Sequence, residues 1–265
     1  MTANDLFQAG RLREAIDVQI AKVKSAPADQ RARLFLFELF LFTGELDRAR
    51  KQLDVLKYDD PQHSAAVEQF RFALDAEVRR RAVFAGTAAP EWLTTADGHL
   101  TRRLDAIHAL AGGQATDARR ILDEANEAVP ILTGSLNGQP FEGLFDGDER
   151  FGTVLEVFGS GGVYSWVPLE AVQSIALNPP VAPRDVIWRP AHLVLDNGVD
   201  GDVLLPGLYP NTYESADDAL RLGRATDWAE SAGITSGVGG RLLCTSGTYL
   251  PFSTIRQVLV NPTPL

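Results

Sequence analysis

The sequence has almost no cysteine, a shortage of positive charge and no long hydrophobic run. Its 265 residues include one cysteine, Cys244, so an internal disulfide and a cysteine-ligated metal cluster are excluded. Lysine and arginine total 25 against 35 acidic residues, a net charge of −10, and such a surface repels nucleic-acid phosphates and anionic lipids. The longest apolar stretch, residues 34–42, is interrupted by Glu38 and is far shorter than the roughly 18 residues of a membrane span. We therefore expect a protein or small-molecule partner, no nucleic acid and no membrane insertion.

The sequence also lacks signatures of export and of catalysis. Residues 1–20 contain no basic region followed by an apolar run, so no signal peptide is expected and the chain is predicted to be cytoplasmic. The four histidines have no partner at a metal-binding spacing. Glycine-rich residues 159–162 and 237–240 match neither nucleotide-binding motif, and Ser160 lacks a nucleophile-elbow sequence. We expect no catalytic residue, no cofactor and no metal, and we interpret Cys244 as a small apolar residue of a strand.

The residue pattern divides the chain near Pro140. Up to Pro130 the sequence is rich in Ala, Leu, Arg and Glu at helical spacing, whereas from Phe151 onward short apolar runs alternate with Gly, Pro and Asn. Residues 133–150 between them contain four glycines, a proline and several acidic residues, which is typical of an exposed connection. We predict an α+β protein with a helical domain at 1–132, a linker at 133–150 and a mainly-β domain at 151–265.

A repeat of 34 residues occupies the helical part. Its markers are Gly10, Ala15 and Pro27, then Gly44, Ala49 and Pro61, and, with the same internal spacing, Gly113, Ala118 and Pro130. This period resembles the tetratricopeptide repeat, in which stacked helix pairs form a groove for a peptide or helix of a partner. Glycine suits the turn between two helices, alanine allows close packing, and proline ends the second helix. We expect a degenerate unit at residues 65–85, and the most buried helix at residues 34–42, which are apolar nearly all round.

A second internal repeat lies in the β part. Residues 167–179 and 250–262 align at a constant offset of 83, and each copy follows a glycine-containing turn, at 159–162 and at 246–247. Each copy is typical of a hairpin whose outgoing strand ends at a proline, followed by a bend and another strand. Two related β units predict a small barrel or sandwich with an internal duplication.

Two charged segments around tryptophan are the candidate contact sites. The residues concerned are Arg184, Asp185, Trp188 and Arg189 in the first segment, and Arg224 and Trp228 in the second. In a strand, Asp185 and Arg189 would lie on the face opposite Trp188. Two interpretations stay open: an aromatic core flanked by an ion pair, or a partner-binding surface, because Trp and Arg are enriched at binding hot spots. The arginine run at 79–81 indicates a solvated helix face, or else contact with an acidic partner.

Six segments spread over almost the whole chain resemble one known protein family. They are residues 6–10, 34–39, 151–157, 164–170, 184–191 and 223–228. The family is ImpE/TagJ, accessory proteins of the bacterial type VI secretion system that are also called SciE-type virulence proteins. The resemblance implies a non-enzymatic cytoplasmic protein associated with the contractile sheath. It also implies the small sheath subunit as partner and the sheath-disassembly ATPase as a functional neighbour.

Three functions are compatible with these observations. In the first, an amphipathic helix or peptide of the sheath subunit docks on the repeat groove or near Trp188 and Trp228, with low salt favouring a basic segment. In the second, an enzyme acts on a small polar metabolite at the domain junction, with Asp185 and Asp227 as acid and base. A deep polar pocket would favour this enzyme, and a shallow apolar groove would not. In the third, the repeats mediate self-association.

Overall fold

Helices occupy the first half of the chain and strands the second, as predicted for an α+β protein. The structure is a computed structural model that describes residues 1–95, 98–245 and 247–261. The helices are α1 (Ala3–Gln8), α2 (Leu12–Ser25), α3 (Gln30–Phe42), α4 (Leu46–Val55), α5 (Pro61–Phe84), α6 (Gly98–Ala111), α7 (Ala115–Glu127), α8 (Arg184–Ile187) and α9 (Asp218–Arg221). The strands are β1 (Glu91–Trp92), β2 (Thr133–Leu136), β3 (Gln139–Glu142), β4 (Phe145–Asp146), β5 (Val154–Phe158), β6 (Tyr164–Pro168), β7 (Val172–Leu177), β8 (Trp188–Leu195), β9 (Asp200–Pro206), β10 (Thr226–Ser231), β11 (Ile234–Gly239), β12 (Leu242–Thr245), β13 (Thr248–Pro251) and β14 (Gln257–Val260).

The repeat glycines and alanines have the predicted roles in three helix pairs, α1–α2, α3–α4 and α6–α7. All three glycines lie in the turns with φ between 71° and 76°, a conformation that residues with a Cβ adopt only with strain. All three alanines are fully buried. The prolines differ from the prediction at one position. Pro27 and Pro130 follow a helix, but Pro61 begins α5, directly after Asp60, whose carboxylate accepts from the Gln62 and His63 backbone N–H groups.

The unit expected at residues 65–85 is half of a repeat. It consists of one 24-residue helix, α5, which is followed by a glycine turn at Gly86, with φ 74°, but not by a second helix of a pair. The chain then continues into β1, where Glu91 and Trp92 pair in parallel with Ser165 and Trp166 of β6. The described residues that follow α5 therefore join the large sheet where a second helix of the repeat would stand.

Helix α3 is the most buried helix of the described chain, as predicted. Eight of its thirteen residues are buried. It packs against α2 and α4, and on another side the Phe37 ring lies 6.3 Å from the ring of Trp188, measured between centroids. Burial on several sides explains why its apolar residues surround the helix rather than form one stripe. Across the described residues, every helix is too short or too polar to traverse a lipid bilayer.

Nine strands of the described residues form the main sheet, in the order β1-β6-β5-β9-β8-β7-β14-β2-β3. Every neighbouring pair is antiparallel except β1 and β6. Within the described residues the end strands β1 and β3 do not pair with each other, so the sheet is open and the closed barrel among our expectations is not formed. Two smaller sheets, with the strand orders β13-β12-β4 and β10-β11, complete the mainly-β part.

The two copies of the β repeat have the same structure. In each copy a strand ends at a proline, Pro168 or Pro251, a 3-10 turn follows, and a new strand begins. The new strands β7 and β14 pair with each other in antiparallel register, with Ile175 opposite Val258. These two positions are equivalent in the repeat, so the copies meet about a local twofold axis. Ser246 of the predicted turn and Pro262 of the second copy lie outside the described residues.

Packing between the helical and β parts is continuous. One hydrophobic cluster contains residues of the helices together with Phe151, Trp166 and Trp188, while a second cluster lies on the sheet and its turns. Residues 133–150, predicted as a linker, contain β2 and β3 at the end of the main sheet and β4 beside β12. The division of the chain into two domains stays a prediction.

Candidate functional site

A buried cluster of ionised side chains joins α5 to the sheet. Nε and Nη2 of Arg80 donate to the two carboxylate oxygens of Glu156 at 2.7 and 2.8 Å. Arg241 pairs with the same carboxylate, and its Nε lies 3.2 Å from Oδ2 of Asp146. The Tyr164 hydroxyl donates to Glu156 at 2.5 Å. All five side chains are buried, so the cluster stabilises the contact between layers.

The two carboxyl groups of this cluster have pKa values shifted in opposite directions. Burial alone would raise the pKa of Glu156, but the charges of Arg80 and Arg241 outweigh it and lower that pKa to about 2. Burial raises the pKa of Asp146 to about 7, because Arg241 offsets the loss of hydration only in part and the neighbouring Asp148 opposes ionisation. Glu156 is therefore fully ionised at neutral pH, whereas Asp146 titrates there.

The arginine run at 79–81 is not a solvated face, which corrects the interpretation from sequence. Arg80 is buried against Glu156. Arg81 donates from Nη1 to the Gly44 carbonyl at 2.9 Å, and its guanidinium lies 3.9 Å from the ring centroid of Tyr213. Only Arg79 has a mostly exposed side chain. Consecutive helical residues point about 100° apart. Arg80 therefore faces the sheet, Arg81 faces the α3–α4 turn, and Arg79 faces solvent.

The segment at 184–187 forms a helical turn, α8, so the division of Asp185 and Trp188 between two faces of a strand does not apply. Pro183 has helical backbone angles and precedes α8. Oδ2 of Asp185 accepts from the backbone N–H groups of Val181 and Ala182, both at 2.9 Å. These local bonds compete with strand pairing and stabilise the turn. Arg184 pairs from this turn with Glu38 of α3.

Trp188 and Arg189 begin strand β8 and are both buried. Trp188 packs against Phe37, as in the interpretation of an aromatic core. The Arg189 guanidinium donates to three backbone carbonyls, those of Asn178 at 2.6 Å, Phe252 at 3.1 Å and Ile255 at 3.0 Å. Both side chains thus stabilise the chain's own packing.

The six predicted contact residues do not form one surface. Asp185, Arg189 and Arg224 line a common cleft of about 580 Å³, and Arg224 also donates to the Phe7 and Gln8 carbonyls of α1, both at 2.8 Å. Trp228 lies on β10, outside the residues that line this cleft.

The predicted acid and base residues do not face a common substrate. Asp185 is held by backbone N–H groups in the cleft, while Asp227 lies on the exposed face of β10. The cavity between α3, α5 and Trp188 measures only about 30 Å³, about the volume of one water molecule. No group of three or more His, Cys, Asp or Glu side chains within the described ranges could hold a metal ion.

Exposed aromatic side chains gather around another cleft, which we call the aromatic cleft. Its volume is about 590 Å³, and Ile131, Phe145 and Tyr249 are among its lining residues. Trp228 borders it, with its ring centroid 6.0 Å from that of Tyr249. The exposed fractions are 72% for Ile131, 39% for Phe145, 37% for Trp228 and 55% for Tyr249. Large apolar side chains this exposed and this close together are characteristic of an interaction surface.

Short strands position the aromatic cleft. Phe145 of β4 and Tyr249 of β13 both stand opposite Cys244 of β12, so the three side chains lie on one face of this sheet. Cys244 is buried, as predicted for a small strand residue. The Trp228 ring covers Gly147, where a Cβ atom would come within 2.5 Å of it. Small residues at these two positions therefore leave room for three large rings.

Two charged side chains at the base of the aromatic cleft, Glu149 and Arg103, form bonds within the chain. Glu149 accepts from the Thr235 backbone N–H at 2.6 Å and from Arg119 at 2.9 Å. Arg103 donates to the Glu149 carbonyl at 2.9 Å and to Asn126 at 2.5 Å, and burial lowers its pKa to about 10. Nε of Arg103 and Oγ1 of Thr153, which also line the cleft, have no hydrogen-bond partner among the described residues, and Asp146 lines it too. The exposed rings, rather than these polar groups, suit the docking of another protein.

Sequence reasoning identified Trp228 in this cleft and missed Ile131, Phe145 and Tyr249. One signal was present: Phe145 is an aromatic residue inside the glycine- and aspartate-rich stretch 143–148. An aromatic side chain in such a polar segment has no obvious core to enter and is a candidate for contact.

Comparisons with known proteins agree with this architecture. The ImpE protein family matches residues 138–259, and a tetratricopeptide repeat family matches residues 6–71. The type VI secretion system accessory component TagJ of Pseudomonas aeruginosa is 36% identical over 263 residues, which cover 99% of this chain and 92% of that protein. The crystal structure of protein VPA1032 from Vibrio parahaemolyticus superimposes with a TM-score of 0.89 at 22% identity, covering 98% of this chain and 97% of that one. The predicted repeats and the α+β fold are thereby confirmed.

Proposed function

Because this chain belongs to the ImpE/TagJ family, we propose that it is an accessory component of a type VI secretion system that acts by binding another protein of that system. The partner we propose is the small subunit of the contractile sheath, which contributes a helix or a short peptide segment. The protein would work in the cytoplasm without catalysis, next to the ATPase that disassembles the sheath. The observation that carries the proposal is the aromatic cleft.

The aromatic cleft has the properties of a docking site for a protein segment. Trp228 and Tyr249 are large, rigid side chains of the kind that dominate binding energy when a partner covers them. Glu230 lies on the same face of β10 as Trp228 and is exposed, so basic residues at the borders of an apolar segment would be favoured. Of the six residues predicted from sequence, the proposal retains Trp228, because the other five are buried or bonded within the chain.

Binding to the isolated small sheath subunit tests the proposal. We expect a complex at micromolar concentrations, measured by titration calorimetry, and an affinity that falls when salt is raised. Trp228→Ala should weaken binding by about tenfold or more, which is the effect of removing a hot-spot side chain. Val181→Ala is the matched control, because Val181 is also an exposed apolar residue but lies outside both large clefts.

Two outcomes would overturn this assignment. If the sheath subunit does not bind at micromolar concentrations, the partner is wrong. If it binds and Trp228→Ala has no more effect than Val181→Ala, the aromatic cleft is not the site. Light scattering at several concentrations distinguishes a third outcome, in which the cleft binds a second copy of this chain and the apparent mass rises with concentration.

A further inference from the structure

All the lysines of this acidic chain lie in a short part of the helical repeats. They are Lys22, Lys24, Lys51 and Lys57, and no lysine follows in the remaining two hundred or so residues. Arginine, by contrast, occurs along the whole sequence. An exposed lysine is a strongly hydrated, mobile cation suited to a surface. All four lysines of a protein whose net charge is −10 therefore lie on or directly after the first two helix pairs.

Two of these lysines border a groove on the helices, which we call the basic groove. It is about 330 Å³ in volume, with Ile20, Val23 and Lys24 from α2, Arg33, Leu36 and Phe40 from α3, and Arg48, Lys51 and Gln52 from α4 as its lining. The apolar members form its base and four cations surround them. No carboxylate is among the residues that line it.

The cations of the basic groove are only partly neutralised by the chain. The side chains of Lys24 and Lys51 make no ion pair or hydrogen bond within the described residues and are exposed. Arg33 donates to the Pro27 carbonyl at 2.7 Å and to Gln52 at 3.2 Å, both uncharged acceptors. Arg48 lies 4.1 Å from the Phe40 ring centroid and pairs with Glu45. Three of the four cations thus have no carboxylate partner within the described chain.

The basic groove lies away from the surface that the β part covers. The β part reaches α1 through Arg224, the first residue of α2 through Asp218, α3 through Arg184 and Trp188, and α5 through Glu156. The residues of the helices in these contacts are not among those that line the basic groove. The groove is therefore a part of the repeat array that the chain itself leaves uncovered.

We propose that the basic groove binds an amphipathic helix of another protein that carries aspartate or glutamate along both borders of its apolar stripe. The apolar stripe would cover Ile20, which is half-buried, and would lie above the buried Val23 and Phe40, in the manner of a helix bound in a groove. The carboxylates would meet Lys24 and Lys51 on opposite sides. This partner segment is opposite in charge to the basic segment that we propose for the aromatic cleft. The two sites share no lining residue, so the protein can hold both segments at once.

A synthetic peptide probe tests the proposal on the full chain. The probe is a helical peptide of about 18 residues, or five turns, with leucine along one face and glutamate beside it, and the control peptide has lysine in place of glutamate. We expect saturable binding of the acidic probe in fluorescence anisotropy, at least about tenfold tighter than the basic one. Binding should weaken with added salt, because exposed cations are screened.

Charge-reversal variants locate the binding. The double variant Lys24→Glu/Lys51→Glu should weaken binding of the acidic probe by about tenfold or more, whereas Lys57→Glu, an exposed lysine outside the groove, should not. Trp228→Ala should also leave this binding unchanged, which separates this test from that of the aromatic cleft. Equal affinity for the two peptides, no saturable binding, or full binding by the double variant would each overturn the proposal.

Discussion

At the scale of single residues, buried charge is what connects the helical and β parts. Glu156 lies in an otherwise apolar strand and is paired with Arg80 of α5 and Arg241. Removing one partner of such a buried pair costs more than the pair contributes, because the other charge is left without compensation. Asp146 pairs with Arg241, and this one cation offsets its burial only in part. The charge of Asp146 therefore changes near neutral pH, whereas that of Glu156 does not.

We predict that Asp146 makes folding less favourable as pH rises. Its pKa is about 7 in the folded protein and 3.8 as the ordinary value, so between these values the folded state binds more protons than the unfolded state and loses stability with rising pH. Between pH 5 and pH 8 the wild type should lose about 2 to 3 kcal/mol relative to Asp146→Asn. Urea unfolding at several pH values measures the difference.

The control for this prediction is Asp59→Asn, the same change at an exposed position. It should leave the pH dependence of stability as in the wild type. If Asp146→Asn follows the wild type in parallel from pH 5 to pH 8, then Asp146 does not titrate in this range.

At the scale of elements, the turn between α3 and α4 is the point where a helix pair meets the β part. Gly44 has φ 71°, and a Cβ atom there would lie 2.4 Å from the ring of Tyr213. Its carbonyl also accepts from Arg81 of α5. This glycine is therefore required both for its backbone angle and for the close approach of Tyr213.

We predict that Gly44→Ala destabilises the protein more than Gly113→Ala. Gly113 has φ 75° and nothing within 4 Å of the added Cβ, so its replacement should cost only the backbone strain of about 1 kcal/mol. At Gly44 the overlap with Tyr213 should add about 1 to 3 kcal/mol. The free energy of unfolding in urea is the measurement. In the Tyr213→Ala background the excess cost at Gly44 should disappear, and a persistent excess would refute the overlap.

At the scale of the whole molecule, the helices and the sheet share one hydrophobic cluster. Phe37 of α3 and Trp188 of β8 are both buried within it, and β1, which follows α5, is a strand of the main sheet. Neither part can be removed without exposing apolar residues of the other. Such packing favours unfolding in a single cooperative step.

We predict that the helical and β parts unfold together. Far-ultraviolet circular dichroism follows the helices, and tryptophan fluorescence follows Trp166 and Trp188 in the shared cluster. The two signals should have the same midpoint in urea, and Phe37→Ala should lower both by an amount equivalent to about 3 to 5 kcal/mol. Val181→Ala, at an exposed position, should shift neither. Loss of the helical signal before the fluorescence signal would contradict the prediction.

Local pattern determined much of this protein. The 34-residue period predicted helix pairs with glycine turns, because a turn at positive φ favours glycine and a close contact between helices favours alanine. The internal repeat with an offset of 83 residues predicted two similar β units, because alternating side chains and a proline at the strand end are local properties of a strand. The family was also recognisable from sequence segments, and the comparisons confirm it.

Only the tertiary structure decided which charged and aromatic residues are exposed. Arg80 and Trp188 resemble surface contact residues in sequence, yet both are buried because Glu156 and Phe37, distant along the chain, lie against them. Phe145 and Tyr249 belong to strands about a hundred residues apart and meet only because both pair with β12. Periodicity in the sequence specifies which side of a helix or strand is apolar. Which other element packs against that side depends on long-range contacts, and the local spacing of residues does not determine these.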